Sequence, residues 1–156
     1  MKIKTKNFGE LEFPEEAIID FEEGIIGFYD LKRWVIIENP EMQPFKWLQS
    51  VDNPDIALMV IDPHLIRANY KMVIPAEEHW KIGLKNLEKR EQWLTLCVIV
   101  ADKEIEKSIV NLKAPILINL KEKRGRQIIL LNDDYDVEEP LFSREILKMK
   151  KEKEYI

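Results

Sequence analysis

Two histidines (His64, His79), three serines (Ser50, Ser108, Ser143), two threonines (Thr5, Thr95) and one cysteine (Cys97) are the side chains here with nucleophile or proton-shuttle chemistry. Covalent catalysis requires one of the hydroxyls or the thiol beside a base. No serine lies in a G-x-S-x-G elbow, and none is flanked by glycines. Histidine is the usual proton carrier near neutral pH, so a site would have to form at His64 or His79. His64 follows Asp62-Pro63 at a predicted strand end, and His79 falls on the outer side of a predicted helix. Both positions read as solvated surface. Cys97, inside WLTLCVIV, reads as a small buried hydrophobe, and a lone cysteine excludes an internal disulfide.

Metal and phosphate chemistry fare no better. Zinc needs several Cys or His at short spacing, whereas these two histidines stand fifteen residues apart. The acidic run DDYDVEE (Asp133 to Glu139) lacks the glycine that a calcium loop needs at its turn, so it reads as a solvated loop. Gly24 and Gly27 in EGIIGF match neither a P-loop nor a dinucleotide fingerprint, and read as glycines bracketing a β turn. KEKRGR (Lys121 to Arg126) is the one dense basic cluster before the tail. It falls between apolar strands with Gly125 placed for a hairpin turn, and no aromatic residue interleaves with it. With 29 acidic residues some carboxylate pair is always available, so glycosidase-like pairing has no specificity here.

The elements that would position these residues are mostly strands. Alternating or continuous apolar runs are predicted as strands over 1–5, 11–13, 18–21, 34–38, 45–51, 56–61, 94–101, 105–112, 115–120 and 127–131. A mixed piece covers 65–74. Pro75 opens a predicted helix that aligns Ala76, Trp80, Leu84 and Leu87 on one face, although Gly83 weakens it. A second, frayed helix is expected from Ser143. The fold class is therefore mainly β, an antiparallel barrel-like or sandwich domain with one or two short helices. One domain is expected over residues 1–142, followed by a charged tail over 143–156.

The 156 residues suit a single core, and 34% charged exceeds the roughly 25% usual for soluble domains. No stretch reaches the roughly 18 apolar residues of a membrane span. No secretory leader is visible either, so a cytoplasmic protein with no membrane partner is expected. Residues 10–23 carry seven acids and no Lys or Arg, and the tail carries five bases against three acids. A nucleic-acid binder needs a basic face to displace counterions, and this body is acidic, which favours a basic protein partner.

Four blocks in order are more informative than any single side chain. EGIIGF at 23–28, PFKWLQSVDNPDIALMVIDP at 44–63, NLKAPILIN at 111–119 and GRQIIL at 125–130 resemble the flagellar assembly factor FliW family. The resemblance runs from about Met1 to Leu131. It implies a non-enzymatic cytoplasmic barrel with no metal or cofactor requirement. It further implies two partners, the translational repressor CsrA and flagellin. Held by such a protein, CsrA no longer represses flagellin translation, and accumulating flagellin frees CsrA again.

Two recognition elements are expected on that basis. Glu15, Glu16, Asp20, Glu22 and Glu23 would attract a basic face of the repressor, chiefly raising the on-rate. An apolar groove or strand edge would take an amphipathic terminal segment of flagellin. Gln49, Ser50, Asp52 and Asn53 are candidates for polar contacts, because turns project side chains outward. Charge reversal at Glu22 and Glu23 is expected to weaken repressor binding and spare the fold. The rival readings are a small carboxylate-dependent enzyme with a barrel-mouth pocket, and a direct RNA binder acting through the 121–126 basic turn.

Overall fold

The computed structural model describes residues 1–142; the tail helix expected from Ser143 lies outside them. Chain order is β1 (Lys2–Thr5), β2 (Gly9–Glu12), β3 (Ile19–Asp20), β4 (Arg33–Glu38), β5 (Lys46–Ser50), β6 (Ala57–Ile61), β7 (Trp93–Val100), β8 (Ile109–Val110), β9 (Ile116–Asn119), β10 (Arg124–Gln127) and β11 (Glu139–Pro140). β1 and β2 form a separate hairpin. Its turn is tied by Thr5, whose hydroxyl donates to the Gly9 carbonyl at 2.7 Å and accepts from the Phe8 N–H at 2.9 Å.

Seven strands close into a barrel in the order β7-β6-β5-β4-β3-β10-β9, with β9 returning to β7. Closure removes the exposed edges that a small open sheet would leave for aggregation. β7 has three neighbours along its length: Trp93–Leu96 pair with β9, Cys97 and Val98 with β6, and Ile99 and Val100 with β8. β8 then carries β11 outside the barrel. The β3–β10 junction is the one parallel pairing among the described residues, registered at Asp20 and Arg124 alone.

The barrel interior holds Ile19, Phe21, Trp34, Leu48, Val60, Leu96, Ile116 and Ile118. Each fully buried large apolar side chain stabilises by roughly 1.5–3 kcal/mol relative to exposure. The Trp34 indole N–H is satisfied by the Leu31 carbonyl at 3.1 Å, so the core aromatic carries no unpaired donor. Gly125 packs against Phe21; a Cβ there would sit 2.6 Å from the ring carbon Cε1.

Several expectations need correction. The helix after Pro75 is absent; 76–92 holds only the 3-10 turns Ala76–Glu78, Leu84–Asn86 and Arg90–Gln92. Ile82 (φ 46) and Gly83 (φ 78) take left-handed conformations that break any helix. Tertiary contacts reward that break. Ile82 and Leu84 bury against Leu117 and Ile128, and Asn119 donates to the Ile82 carbonyl at 2.9 Å. Trp80, predicted on the buried face, is 86% exposed. Residues 65–74 form no strand, and 105–112 give a 3-10 turn, Ile105–Lys107, and the short β8. Gly125 lies within β10, not at the hairpin turn, because Phe21 requires a residue without a side chain there.

Candidate functional site

The catalytic candidates are dispersed. Cys97 is buried, and burial pushes its thiol up to about 12 against the opposing pull of the Tyr70 hydroxyl. Ser108 is buried and its hydroxyl accepts the Asp102 N–H at 3.0 Å. The His64 ring Nδ1 lies 2.7 Å from Asp62 Oδ1, the same oxygen that accepts the His64 N–H at 2.9 Å to cap the turn Pro63–Leu65. His64, Tyr70, Glu88, Arg90 and Thr95 line a broad cleft of about 730 Å³. Among the described residues no group of three His, Cys, Asp or Glu gathers as a metal set. The run Asp133 to Glu139 is structural rather than a free loop. Tyr135 stacks on Tyr70 at 4.6 Å, and Glu139 pairs with Arg67 at 3.0 Å.

The turn candidates divide: Gln49 and Ser50 face inward, contrary to expectation, whereas Asp52 and Asn53 are exposed. Gln49 and Ser50 are fully buried. Gln49 Nε2 donates to the carbonyls of Ser50, Pro54 and Ile56 at 2.9–3.1 Å, which pins the DNPD turn to its own strand. Ser50 Oγ accepts the Asn53 N–H at 2.9 Å, and Asn53 Oδ1 accepts the Asp55 N–H at 3.1 Å. Asp52 reaches across to β4, accepting the N–H groups of Lys32 and Arg33 at 2.9 and 3.1 Å and Arg33 Nε at 2.8 Å. Burial alone would raise the Asp52 carboxyl, but the Lys32 N–H, the Arg33 side chain and the Arg33 N–H together hold it below the usual carboxylate range. These residues build the turn by satisfying most of its donors and acceptors, with the buried Gln49 Oε1 left without a partner among the described residues.

The acidic stretch is placed differently. Glu15, Glu16, Asp20, Glu22 and Glu23 are all exposed. Glu15 and Glu16 lie on the 3-10 turn Glu15–Ala17 and have no ion-pair partner among the described residues. Glu22 and Glu23 meet the basic cluster instead. Glu22 stands 3.8 Å from Arg124, and Glu23 pairs with Arg126 at 3.0 Å and Lys81 at 3.7 Å. The Arg126 guanidinium, by hydrogen bond and then by charge, holds the Glu23 carboxyl below its ordinary value. Arg126 also forks onto Glu78, with Nη2 to Oε1 at 3.0 Å and Nε to Oε2, both side chains being largely buried. Charge reversal at Glu22 and Glu23 would set lysines against Arg124 and Arg126, so the expectation of an unaffected fold is revised.

Arg126 and its neighbour Gln127 hold one surface turn from two sides. Arg126 grips Glu23, and Gln127 Oε1 accepts the Ile26 N–H at 2.9 Å while its Nε2 donates to the Ala114 carbonyl at 2.9 Å. The turn itself closes through the Phe28 N–H to the Ile25 carbonyl at 2.7 Å. Gly24 there has φ 68, and a Cβ would lie 2.6 Å from Tyr29 Cα, so the turn admits no side chain at that position. Ile26 crowns the turn, 44% exposed, and lines two clefts at once. One, of about 300 Å³, adds Tyr29, Pro75, Glu77 and Ile129. The other, of about 260 Å³, is lined by Phe28, Leu58, Val100, Ile109, Val137 and Glu138. Sequence reasoning missed Tyr29, Glu77, Ile129 and Val137, since each lies outside the acid cluster and the DNPD turn.

A closed seven-stranded barrel whose surface features are clefts, ion pairs and exposed apolar side chains defines a class of small barrel proteins. The comparisons then place it. A profile of the FliW protein family matches residues 2–141. A flagellar assembly factor FliW of Thermoanaerobacter pseudethanolicus is 46% identical over 142 residues, covering 90% of this chain and 93% of that protein. One from Thermotoga sp. strain RQ2 is 40% identical over 151 residues, covering 96% and 98%. A crystal structure of the flagellar assembly factor FliW superposes with a TM-score of 0.82 at 29% identity, over 94% of this chain and all of that one. The chain belongs to the FliW family of flagellar assembly factors. The curated relatives are named as assembly factors rather than enzymes.

Proposed function

We propose that this protein is a non-enzymatic cytoplasmic antagonist of the translational repressor CsrA that also binds flagellin, so that flagellin synthesis follows flagellum assembly. The observation that carries this reading is the family match over residues 2–141, which spans the whole barrel. Two further features support it. Glu15 and Glu16 offer an exposed, unengaged anionic ridge that suits a basic RNA-binding partner, chiefly by accelerating encounter. Two of the four cations that a direct RNA binder would use in the 121–126 turn, Arg124 and Arg126, are turned onto Glu22, Glu23 and Glu78. Their phosphate affinity is correspondingly reduced, which disfavours direct nucleic-acid binding.

Calorimetric titration with the CsrA of the same organism tests the reading. Tight binding that is relieved by added flagellin is expected. Absence of binding by both partners would leave the family fold without this function.

A further inference from the structure

The two clefts share Ile26 and Gln127, so they lie side by side with Ile26 as the saddle between them. Both clefts present exposed apolar side chains, beside the Glu23–Arg126–Glu78 ion pairs in the first. Tyr29 and Ile129 on one flank and Val100 and Val137 on the other are all more than half exposed. Each arm carries a carboxylate, Glu77 in one and Glu138 in the other. Neither forms an ion pair among the described residues, in contrast to Glu23 and Glu78, which are consumed by Arg126. The nearby cation is therefore neutralised, while among the described residues the carboxylates of the two arms are not.

We propose that this saddle groove docks an amphipathic segment of a partner protein, with an apolar stripe that crosses Ile26 and a Lys or Arg beyond each end of the stripe. The exposed apolar side chains supply affinity by desolvation, and Glu77 and Glu138 fix register by pairing with the flanking cations. Acidic segments are rejected because they would set like charges against both carboxylates. The saddle backbone is tied by the Ile26 N–H to Gln127 Oε1 bond and the Phe28 N–H to Ile25 carbonyl bond, which lowers the ordering cost of binding. The inference rests on the protein-binding reading above and extends it by naming the surface and the charge pattern of its occupant.

The test uses the full chain and a dye-labelled leucine–lysine peptide patterned as an amphipathic helix, read by fluorescence anisotropy. Ile26→Asp is compared with Leu65→Asp, a second exposed apolar residue that lines neither cleft. Both variants add one negative charge, so general attraction to a cationic peptide would rise equally in each. Docking in the saddle predicts about tenfold or greater weakening for Ile26→Asp and no weakening for Leu65→Asp. Glu77→Lys with Glu138→Lys is expected to weaken the lysine peptide severalfold and leave a leucine–glutamine analogue unchanged. Equal responses of Ile26→Asp and Leu65→Asp, or no saturable binding by the wild type, overturn the proposal. Flagellin and CsrA are titrated separately against the same variants. Their binding without any effect of Ile26→Asp sinks the groove but keeps the proposed function; peptide docking without either partner does the reverse.

Discussion

Asp52 offers the sharpest separation between a residue that builds the surface and one that meets a partner. It accepts three hydrogen bonds from the start of β4, two from backbone N–H groups and one from Arg33 Nε. A hydrogen bond to a charged group nets about 1.5–3 kcal/mol when sheltered. Here Asp52 and Arg33 side chains are 25% and 45% exposed, which brings the ion pair down to about 0.5 kcal/mol by solvent screening. The two backbone bonds retain about 1 kcal/mol each. Asp52→Ala should therefore cost about 2.5 kcal/mol, and Asp52→Asn, which keeps one acceptor oxygen, about half of that. For a chain of this length the alanine variant should melt about 5–10 °C lower. Buried Trp34 supplies the fluorescence signal for urea unfolding. The folded-state carboxyl is depressed, so its contribution is complete above the unfolded value, roughly 3.9. It is lost as pH falls through the lower folded value. The gap between wild type and Asp52→Asn should therefore be constant from neutral pH down to about 5 and narrow below about 4. A cost under about 0.5 kcal/mol at neutral pH, or a gap indifferent to acid, would refute the reasoning. CsrA affinity, measured where the variant is folded, should stay unchanged.

Gly125→Ala drives a Cβ into the Phe21 ring and should destabilise by about 3 kcal/mol, seen as an earlier urea midpoint. Cys97, with its thiol pushed up to about 12, should react with a disulfide reagent at pH 8 only as fast as the protein unfolds; prompt labelling of native protein would contradict that burial. Glu15→Lys with Glu16→Lys should slow CsrA association severalfold at low salt and leave the melting temperature unchanged. Glu22→Lys with Glu23→Lys should lower it, because the new lysines face Arg124 and Arg126. Equal stability of the two double variants would count against the ion-pair assignment.

The parts of the fold legible in the sequence were those fixed by local chemistry. The apolar run Ile56 to Ile61 and WLTLCVIV became β6 and β7, and EGIIGF forms a turn with Gly24 before it and Gly27 inside it, because period and backbone permission are local properties. The Pro75 helix failed because its apolar spacing was claimed by separate contacts. Ile82 and Leu84 turned inward beside Leu117 while Trp80 turned out, a choice made by residues over thirty positions away. The site was legible only in fragments. The acidic stretch 10–23 and KEKRGR were each visible, but their mutual pairing through Glu22, Glu23, Arg124 and Arg126 arises from the fold. Gln49 and Asp52 looked like surface chemistry because a polar residue in a turn has the same type whether it serves solvent or its own backbone.

The lone parallel junction of the barrel, Asp20 against Arg124, joins strands through a single registered pair, supplemented by the Asp20 N–H to the Lys123 carbonyl at 3.0 Å. Every other neighbour around the ring shares at least two pairs. Solvent protons should therefore enter there first, through brief openings far cheaper than global unfolding. The ion pairs of Glu22 and Glu23 to Arg124 and Arg126 are laced directly across that line. A partner that settles over Ile26 would lie beside the lacing and act as a clasp on the barrel. Its arrival would then be recorded as slowed amide exchange at Asp20 and Arg124, residues it need never touch.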